Sequence, residues 1–296
     1  MSLHGVALVD KPEGATSFAV VAKLRRLFRA HGVEKAGHTG TLDPLAEGLL
    51  PVCIGEATKF AQRLLDARKT YLAQVQFGRA TTTLDREGDT TAEGIVEVAR
   101  GPLEAALKRF RGTIEQTPPA FSALKVDGVP AYRRARRGEI VELEPRRVTI
   151  HRLELVALDE CAGRALFSVE CSKGTYLRVL AADIAHAVGT VGHLSALRRT
   201  RTGGYDVASA RPLDAWLGAS DDEREAWLEP TDSLLSDLPV ARFDTVTASA
   251  LRCGRVVSPP AGTEAGLHRA YGQGFGFIGL VRVEGCKARA ERLLSG

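Results

Sequence analysis

The residues best suited to chemistry lie in one stretch, Gly37-His38-Thr39-Gly40-Thr41-Leu42-Asp43-Pro44-Leu45-Ala46-Glu47-Gly48-Leu49-Leu50-Pro51. Glycines tolerate positive φ and close backbone approach, and Pro44 pushes Asp43 out of the α region. Asp43 is therefore expected on a loop of defined shape, partly desolvated by apolar neighbours. An ordinary aspartate is ionised at neutral pH, so such a residue can serve as nucleophile or proton acceptor. The plainer use of Asp43 is to cap a short helix beginning at Pro44. Arg178 closes a second block, Cys171-Ser172-Lys173-Gly174-Thr175-Tyr176-Leu177-Arg178. A guanidinium can hold a buried carboxylate in a planar two-bond pair; a surface charge is the alternative. Tyr71 reads most simply as a core tyrosine with its hydroxyl at a partner.

The elements that must position these side chains follow from periodicity. Gly5 to Val9 is a short apolar strand leading into Asp10-Lys11-Pro12-Glu13-Gly14-Ala15-Thr16-Ser17, a turn with a helix N-cap at Thr16 or Ser17. Phe18, Val21, Leu24 and Phe28 then recur at helical spacing. Lys11 is either a binding or scaffold residue or a turn lysine exposed to water. Glu56 to Ala67 reads as a helix burying Phe60 and Leu64. Lys69 to Phe77 alternates as a strand, with Tyr71, Ala73, Val75 and Phe77 on one face. Gly78 to Asp85, with Thr81 and Thr83, is a polar loop. Pro102 to Phe110 is helical, with Leu103, Leu107 and Phe110 on one side. Asp127-Gly128 is a hairpin-turn signal, and Tyr132 to Arg137 is a short basic helix stopped at Gly138. A strand with Ala165, Phe167 and Val169 precedes the Arg178 block, which opens a helix bearing Leu180, Ile184 and Val188. Asp221 to Glu229 is acidic. From about Leu238 the texture changes to short strands and glycine turns, densest over residues 272–279. That glycine run lacks the Lys-Ser/Thr of a P-loop.

Composition excludes several classes. The 296 residues, 44% hydrophobic and 26% charged, describe an ordinary globular protein of one large or two smaller domains. No apolar run approaches the roughly 20 residues of a membrane span. The N-terminus lacks the layout of a signal peptide, so the expected location is cytoplasmic. Five cysteines, Cys53, Cys161, Cys171, Cys253 and Cys286, form no CxxC pair and are odd in number. That argues against a disulfide framework or structural zinc and for small buried hydrophobes. His186 and His193 miss the HExxH spacing, so no metal is expected. The net charge is +4. Arginines crowd at Arg133, Arg134, Arg136 and Arg137, at Arg146 and Arg147, and at Arg198, Arg199 and Arg201. Each cluster alone suits a solvated face; three of them point toward a polyanion partner.

The run from Gly37 to Phe60, ending Gly55-Glu56-Ala57-Thr58-Lys59-Phe60, closely resembles the catalytic motif of bacterial tRNA pseudouridine synthases of the TruB family. Asp10 to Ser17 matches the family's DKPxGxTS block, and Thr81, Thr83 and Asp85 its G-x-x-T-x-T-x-D spacing. Gln116-Thr117-Pro118-Pro119-Ala120-Phe121-Ser122-Ala123-Leu124-Lys125 and the Cys171 to Arg178 block (family CSKGTYIR) follow in order. The resemblance covers most of residues 5–203. Two departures stand out. The family has an acidic or polar residue where this chain has Arg133, which strengthens RNA contact without touching the chemistry. The family's DLG reads Asp183-Ile184-Ala185 here, so the helix is expected to lack one close glycine contact.

The resemblance implies an α+β pseudouridine synthase fold, with a mixed, largely antiparallel central sheet flanked by helices, over residues 1–237. It implies a small β-rich, PUA-like RNA-binding domain over 238–296. The implied reaction isomerises the T-loop uridine at tRNA position 55, flipping the base out at a cost of a few kcal/mol. The implied catalytic residues are Asp43, Arg178 and Tyr71, with Tyr71 stacking on the base. Substrate-binding roles fall to His38, which fills the vacated space, and to Tyr176, Leu197 and Lys11; Leu194 and Leu197 line the uridine pocket. The reaction involves neither redox change nor phosphate transfer, so no cofactor is expected. The implied partner is the tRNA T-arm, met by a monomer. Two other classes suit the residues less well. An RNA-binding module without catalysis does not need Asp43, Tyr71 and Arg178 together. An aspartate-nucleophile hydrolase needs the second carboxylate of a DxDxT motif, which is missing beside Asp43.

Overall fold

The computed structural model describes residues 3–122, 124–126, 128–135, 137–139 and 141–295. The chain begins β1 (Gly5–Lys11), α1 (Ser17–Leu27), β2 (Ala36–His38) and β3 (Ala46–Ile54). Thr16 caps α1, its hydroxyl accepting the Ala19 amide at 3.1 Å. The buried face of α1 is Ser17, Val20, Val21 and Leu24. Phe18, expected on that face, is 77% exposed. The helix is turned by one position because Ser17 points inward to bond the backbone of Leu42. No helix begins at Pro44. The Ala46 amide closes a tight turn on the Asp43 carbonyl at 3.1 Å, and β3 starts at once.

A 3-10 turn (Gly55–Phe60) and α2 (Ala61–Asp66) bury Phe60 and Leu64 as expected. β4 (Lys69–Phe77) alternates strictly, with Tyr71, Ala73, Val75 and Phe77 inside. Then come β5 (Arg79–Thr81), β6 (Thr90–Glu93), α3 (Arg100–Leu107), β7 (Gly112–Gln116), the paired β8 (Lys125–Val126) and β9 (Val129–Pro130), and α4 (Ala131–Ala135). Asp127, the expected turn residue of that hairpin, lies outside the described residues, as does Arg136. β10 (Arg146–Asp159), β11 (Arg164–Cys171), α5 (Leu177–Ala187), β12 (Gly192–Thr202), β13 (Tyr205–Asp206), β14 (Arg211–Pro212), α6 (Leu213–Gly218) and α7 (Asp221–Ala226) complete the large unit. The last elements are β15 (Val240–Phe243), α8 (Thr245–Arg252), β16 (Gly266–Gly272), β17 (Gly276–Glu284) and β18 (Lys287–Leu293).

The main sheet has the order β14-β1-β3-β12-β4-β11-β10-β7, with β2 on β3 and β13 on β12. Only β1–β14 and β3–β12 are parallel, so the sheet is mixed and largely antiparallel. Both faces are covered. Ala7, Val9, Leu50 and Val52 face a core shared with Leu24, Leu103, Leu180 and Trp216. Val6, Leu8, Leu49 and Cys53 face a second core with Phe60, Leu234, Leu235 and Leu280. Each Val, Leu or Phe among them contributes about 1.5–3 kcal/mol on burial. β15 to β18 form a separate sheet with its own core around Phe243, Leu251 and Val281. Leu280 and Phe277 of this sheet pack on the large unit, the Phe277 ring 5.8 Å from that of Phe60.

One row across the main sheet carries the backbone of the cleft. Lys11 pairs with Gly48, Gly48 with Arg199, Arg199 with Tyr71, and Tyr71 with Val169. Gly48 has φ +101°, and a Cβ there would lie 2.3 Å from the Arg199 carbonyl. Only glycine fits this crossing. The glycine contact that Ala185 was expected to remove is supplied from the other side. A Cβ on Gly192 of β12 would come within 2.8 Å of the Ala185 methyl. The cysteines split: Cys53 and Cys171 are buried, their thiols pushed up to about 12 and about 11 by burial, while Cys161, Cys253 and Cys286 are exposed. The last three sit on the surface, where no core surrounds them.

Candidate active site

Asp43 is held through its two neighbours. Ser17 Oγ accepts the Leu42 amide at 2.8 Å and donates to the Leu42 carbonyl at 2.9 Å. The Pro44 carbonyl accepts the Gly14 amide at 2.8 Å and Lys11 Nζ at 3.4 Å. Lys11 also donates to the carbonyls of Pro12 (2.9 Å) and Ala15 (2.7 Å). Its side chain is fully enclosed, and burial lowers its pKa to about 8 against the upward pull of Asp43 and Glu13. Lys11 is therefore a strut behind the Asp43 loop, the scaffold alternative of its sequence reading, and is not among the residues lining the cleft. A buried ammonium with three carbonyl acceptors has no donor left for a ligand.

Arg178 reaches Asp43 from the first turn of α5. Its Nε lies 3.1 Å from Asp43 Oδ2. The other nitrogens turn away: Nη1 donates to the Thr83 carbonyl at 2.9 Å and lies 3.5 Å from Asp85 Oδ2, while Nη2 donates to the Phe121 carbonyl at 2.9 Å. The pair is real, but it is a single contact and not the two-bond fork expected. The rest of the guanidinium is spent on fixing itself, as a buried arginine requires. Asp85 is buried as well, its carboxylate accepting Thr83 Oγ1 at 2.5 Å and the Glu87 amide at 3.0 Å. Tyr176 precedes α5, and Gln116 grips its backbone from both sides, accepting its amide at 3.1 Å and donating to its carbonyl at 3.4 Å.

Asp43, Arg178, Tyr71, Tyr176 and Leu197 line one cleft of about 640 Å³. The Asp43 side chain is 41% exposed to it, whereas Arg178 is enclosed. Tyr71 and Tyr176 are both less acidic than a free phenol because burial disfavours the phenolate. The floor contains two cations. Arg199, 1% exposed, donates through Nε to the Leu49 carbonyl at 2.7 Å and through Nη2 to the Gly40 carbonyl at 3.1 Å. Lys69 donates to the carbonyls of Leu64, Leu65 and Ala67 (3.1, 2.5 and 2.7 Å), its pKa lowered to about 8 by burial and by Arg199. Arg146, Arg147 and Lys173 line the cleft too, Lys173 paired with Asp66 at 2.7 Å. An accessible carboxylate in one cleft with a tyrosine, Leu197 and several cations suits a planar base on a phosphate backbone.

Two other expected residues stand outside. His38 ends β2 half-buried, its Nδ1 accepting the Gly40 amide at 3.3 Å, and burial with nearby Arg199 lowers its pKa. It is not among the residues lining the cleft. Leu194 is fully buried in the core. The third arginine cluster splits: Arg199 is enclosed, Arg198 bridges Asp10 (2.7 Å) and Glu47 (3.2 Å), and Arg201 is exposed beside Asp206. Sequence reasoning missed Asp85, Lys69, Arg199 and Gln116 as site residues. Lys69 and Arg199 did leave a signal, being charges at inward positions of β4 and β12, in step with Tyr71 and Leu197. Among the described residues, no three His, Cys, Asp or Glu side chains converge as a metal site needs.

Comparison with known proteins gives this arrangement its class. Residues 25–177 match the model of the TruB family pseudouridylate synthase N-terminal domain, so the fold and its cleft are those of a pseudouridylate synthase. Residues 178–236 match the tRNA pseudouridylate synthase B C-terminal domain. The chain belongs to the TruB family. It is 42% identical to the tRNA pseudouridine synthase B of Neisseria meningitidis over 99% of this chain and 95% of that one. It is 44% identical to that of Cupriavidus metallidurans over 99% and 94%. Among solved structures it resembles a chain of a Cbf5-Nop10-Gar1 complex, with TM-score 0.71 and 27% identity, covering 98% of this chain and 84% of that one.

Proposed function

We propose that this protein isomerises uridine to pseudouridine at position 55, in the T-loop of tRNA, with Asp43 as the essential carboxylate. One observation carries the reading: the half-exposed carboxylate of Asp43 meets the cleft beside Tyr71 and Leu197 while buried Arg178 fixes its direction. The names of the curated relatives, tRNA pseudouridine synthase B, support tRNA as the substrate. In the reaction the bond from ribose C1′ to uracil N1 breaks, the ring turns, and C1′ bonds to C5. The C5 proton leaves and N1 regains one, so the product is an isomer. Asp43 acts on the ribose or uracil as nucleophile or as base toward a ribose proton. The Tyr71 ring takes a face of the flipped base, and the basic residues of the cleft hold flanking phosphates.

The same reading makes residues 238–296 a PUA-like RNA-binding domain, which its separate sheet and core support. Tritium release from tRNA labelled at uridine C5, with mapping of the product, tests the whole. Wild type releases tritium from position 55; Asp43→Asn releases none yet binds tRNA within a few-fold, because affinity lies in phosphate and shape contacts. Residual turnover above about a tenth of wild type removes Asp43 from its role.

A further inference from the structure

Among the described residues, Leu84 alone has positive φ without being glycine, at +61°. An L side chain is strained in that left-handed region, and such backbone persists only where its surroundings over-determine it. Leu84 lies between Thr83 and Asp85, the two residues that converge on one nitrogen of Arg178. The Thr83 carbonyl accepts Nη1 at 2.9 Å, and the Asp85 carboxylate lies 3.5 Å from the same atom. In an extended chain, groups placed this way do not meet. The reversal at Leu84 folds the Asp85 side chain back beside the preceding carbonyl.

The neighbourhood fixes the reversal from several directions. The Leu84 amide donates to the Thr81 carbonyl at 3.2 Å, and its own carbonyl accepts the Leu194 amide at 3.0 Å. Thr81 Oγ1 donates to the Asp85 carbonyl at 2.6 Å, and the Arg86 amide to the Leu194 carbonyl at 3.1 Å. The Arg86 side chain pairs with Glu13, in the turn that pins the Asp43 loop. The strained residue thus ties the holder of Arg178 both to β12 and to the holder of Asp43.

We propose that Leu84 is a positioning residue, whose left-handed backbone, and not its side chain, sets Arg178 on Asp43. The inference rests on the isomerase reading above. Asparagine and glycine adopt left-handed backbone readily, whereas a β-branched residue resists it. Leu84→Gly and Leu84→Asn therefore keep kcat within about twofold, while Leu84→Val loses about tenfold or more with KM and tRNA Kd nearly unchanged. Placed on Arg178→Lys, Leu84→Val adds less than about twofold, because it acts through that arginine. Normal kcat in folded Leu84→Val overturns the proposal, as does an additive loss in the double variant. Should Leu84→Val not fold, the other two decide: a tenfold loss in both Gly and Asn variants means the leucine side chain matters and overturns it. A wild type that releases no tritium from tRNA is a different outcome, since it refutes the isomerase reading itself.

Discussion

Replacing Arg178 by lysine keeps the positive charge and removes the spread of donors around a plane. The guanidinium serves four acceptors: Asp43 at 3.1 Å, Asp85 at 3.5 Å, and the carbonyls of Thr83 and Phe121 at 2.9 Å each. One ammonium at the end of a shorter, flexible stem cannot reach all four. If it loses Asp43, the carboxylate proposed for catalysis loses its charged contact at 3.1 Å, worth about 1.5–3 kcal/mol on the scale of interactions with charged groups. At about 1.4 kcal/mol per decade of rate, that is roughly a ten- to hundredfold fall in kcat. If it keeps Asp43, the buried carbonyls go unpaired, at about 1–3 kcal/mol each, and stability falls instead. Either way tRNA affinity changes little. Single-turnover tritium release at saturating enzyme, a filter-binding Kd and urea denaturation separate these effects. Unchanged kcat together with unchanged stability would refute the four-acceptor reasoning, and a loss confined to Kd would make Arg178 a phosphate contact.

Gly48→Ala forces a Cβ to within 2.3 Å of the Arg199 carbonyl at φ +101°, and urea denaturation is expected to show a loss of at least about 2 kcal/mol. Arg146→Ala and Arg147→Ala, at the cleft, each lower the slope of log Kd against log salt by about one if they neutralise a phosphate; unchanged slopes would place the RNA backbone elsewhere. Burial raises the Glu56 pKa, but hydrogen bonds from Lys59 and Ser295 outweigh it and bring it to about 2. Because the folded value lies below the unfolded one, this stability is present above about pH 4.5 and is lost as pH falls through 2. Glu56→Gln should flatten that acid limb and speed hydrogen exchange at Ser295, whose amide Glu56 accepts at 2.6 Å.

Side chains that announce themselves by period or block were legible in the sequence. β4 alternates as read, and Asp43, Tyr71, Tyr176, Arg178 and Leu197 do share a cleft. What escaped depends on backbone acceptors far away in sequence, which leave no residue-type signature. Nothing in the sequence marks the carbonyls of Thr83 and Phe121 as the anchors of Arg178, so the two-bond pair with Asp43 looked natural. The choice between binding and scaffold for Lys11 stayed open for the same reason, its acceptors being main-chain oxygens. Phe18 was misread because a helical stripe of apolar residues competes with a serine needed inside.

The strand β12 is central in space and late in the chain. It lies between β3 and β4, which are close in sequence but do not pair with each other. Until residues 192–202 have left the ribosome, both of those strands keep an open edge, and the floor cation Arg199 does not yet exist. A nascent chain that carries Asp43, Tyr71 and Arg178 but not β12 therefore lacks part of the cleft wall, to which Leu197 and Arg199 belong. Long-range closure of this kind is slow and exposes pairing edges meanwhile. The order of synthesis thus completes the cleft only with β12, and a stalled chain ending before that strand offers those edges to chaperones or to aggregation.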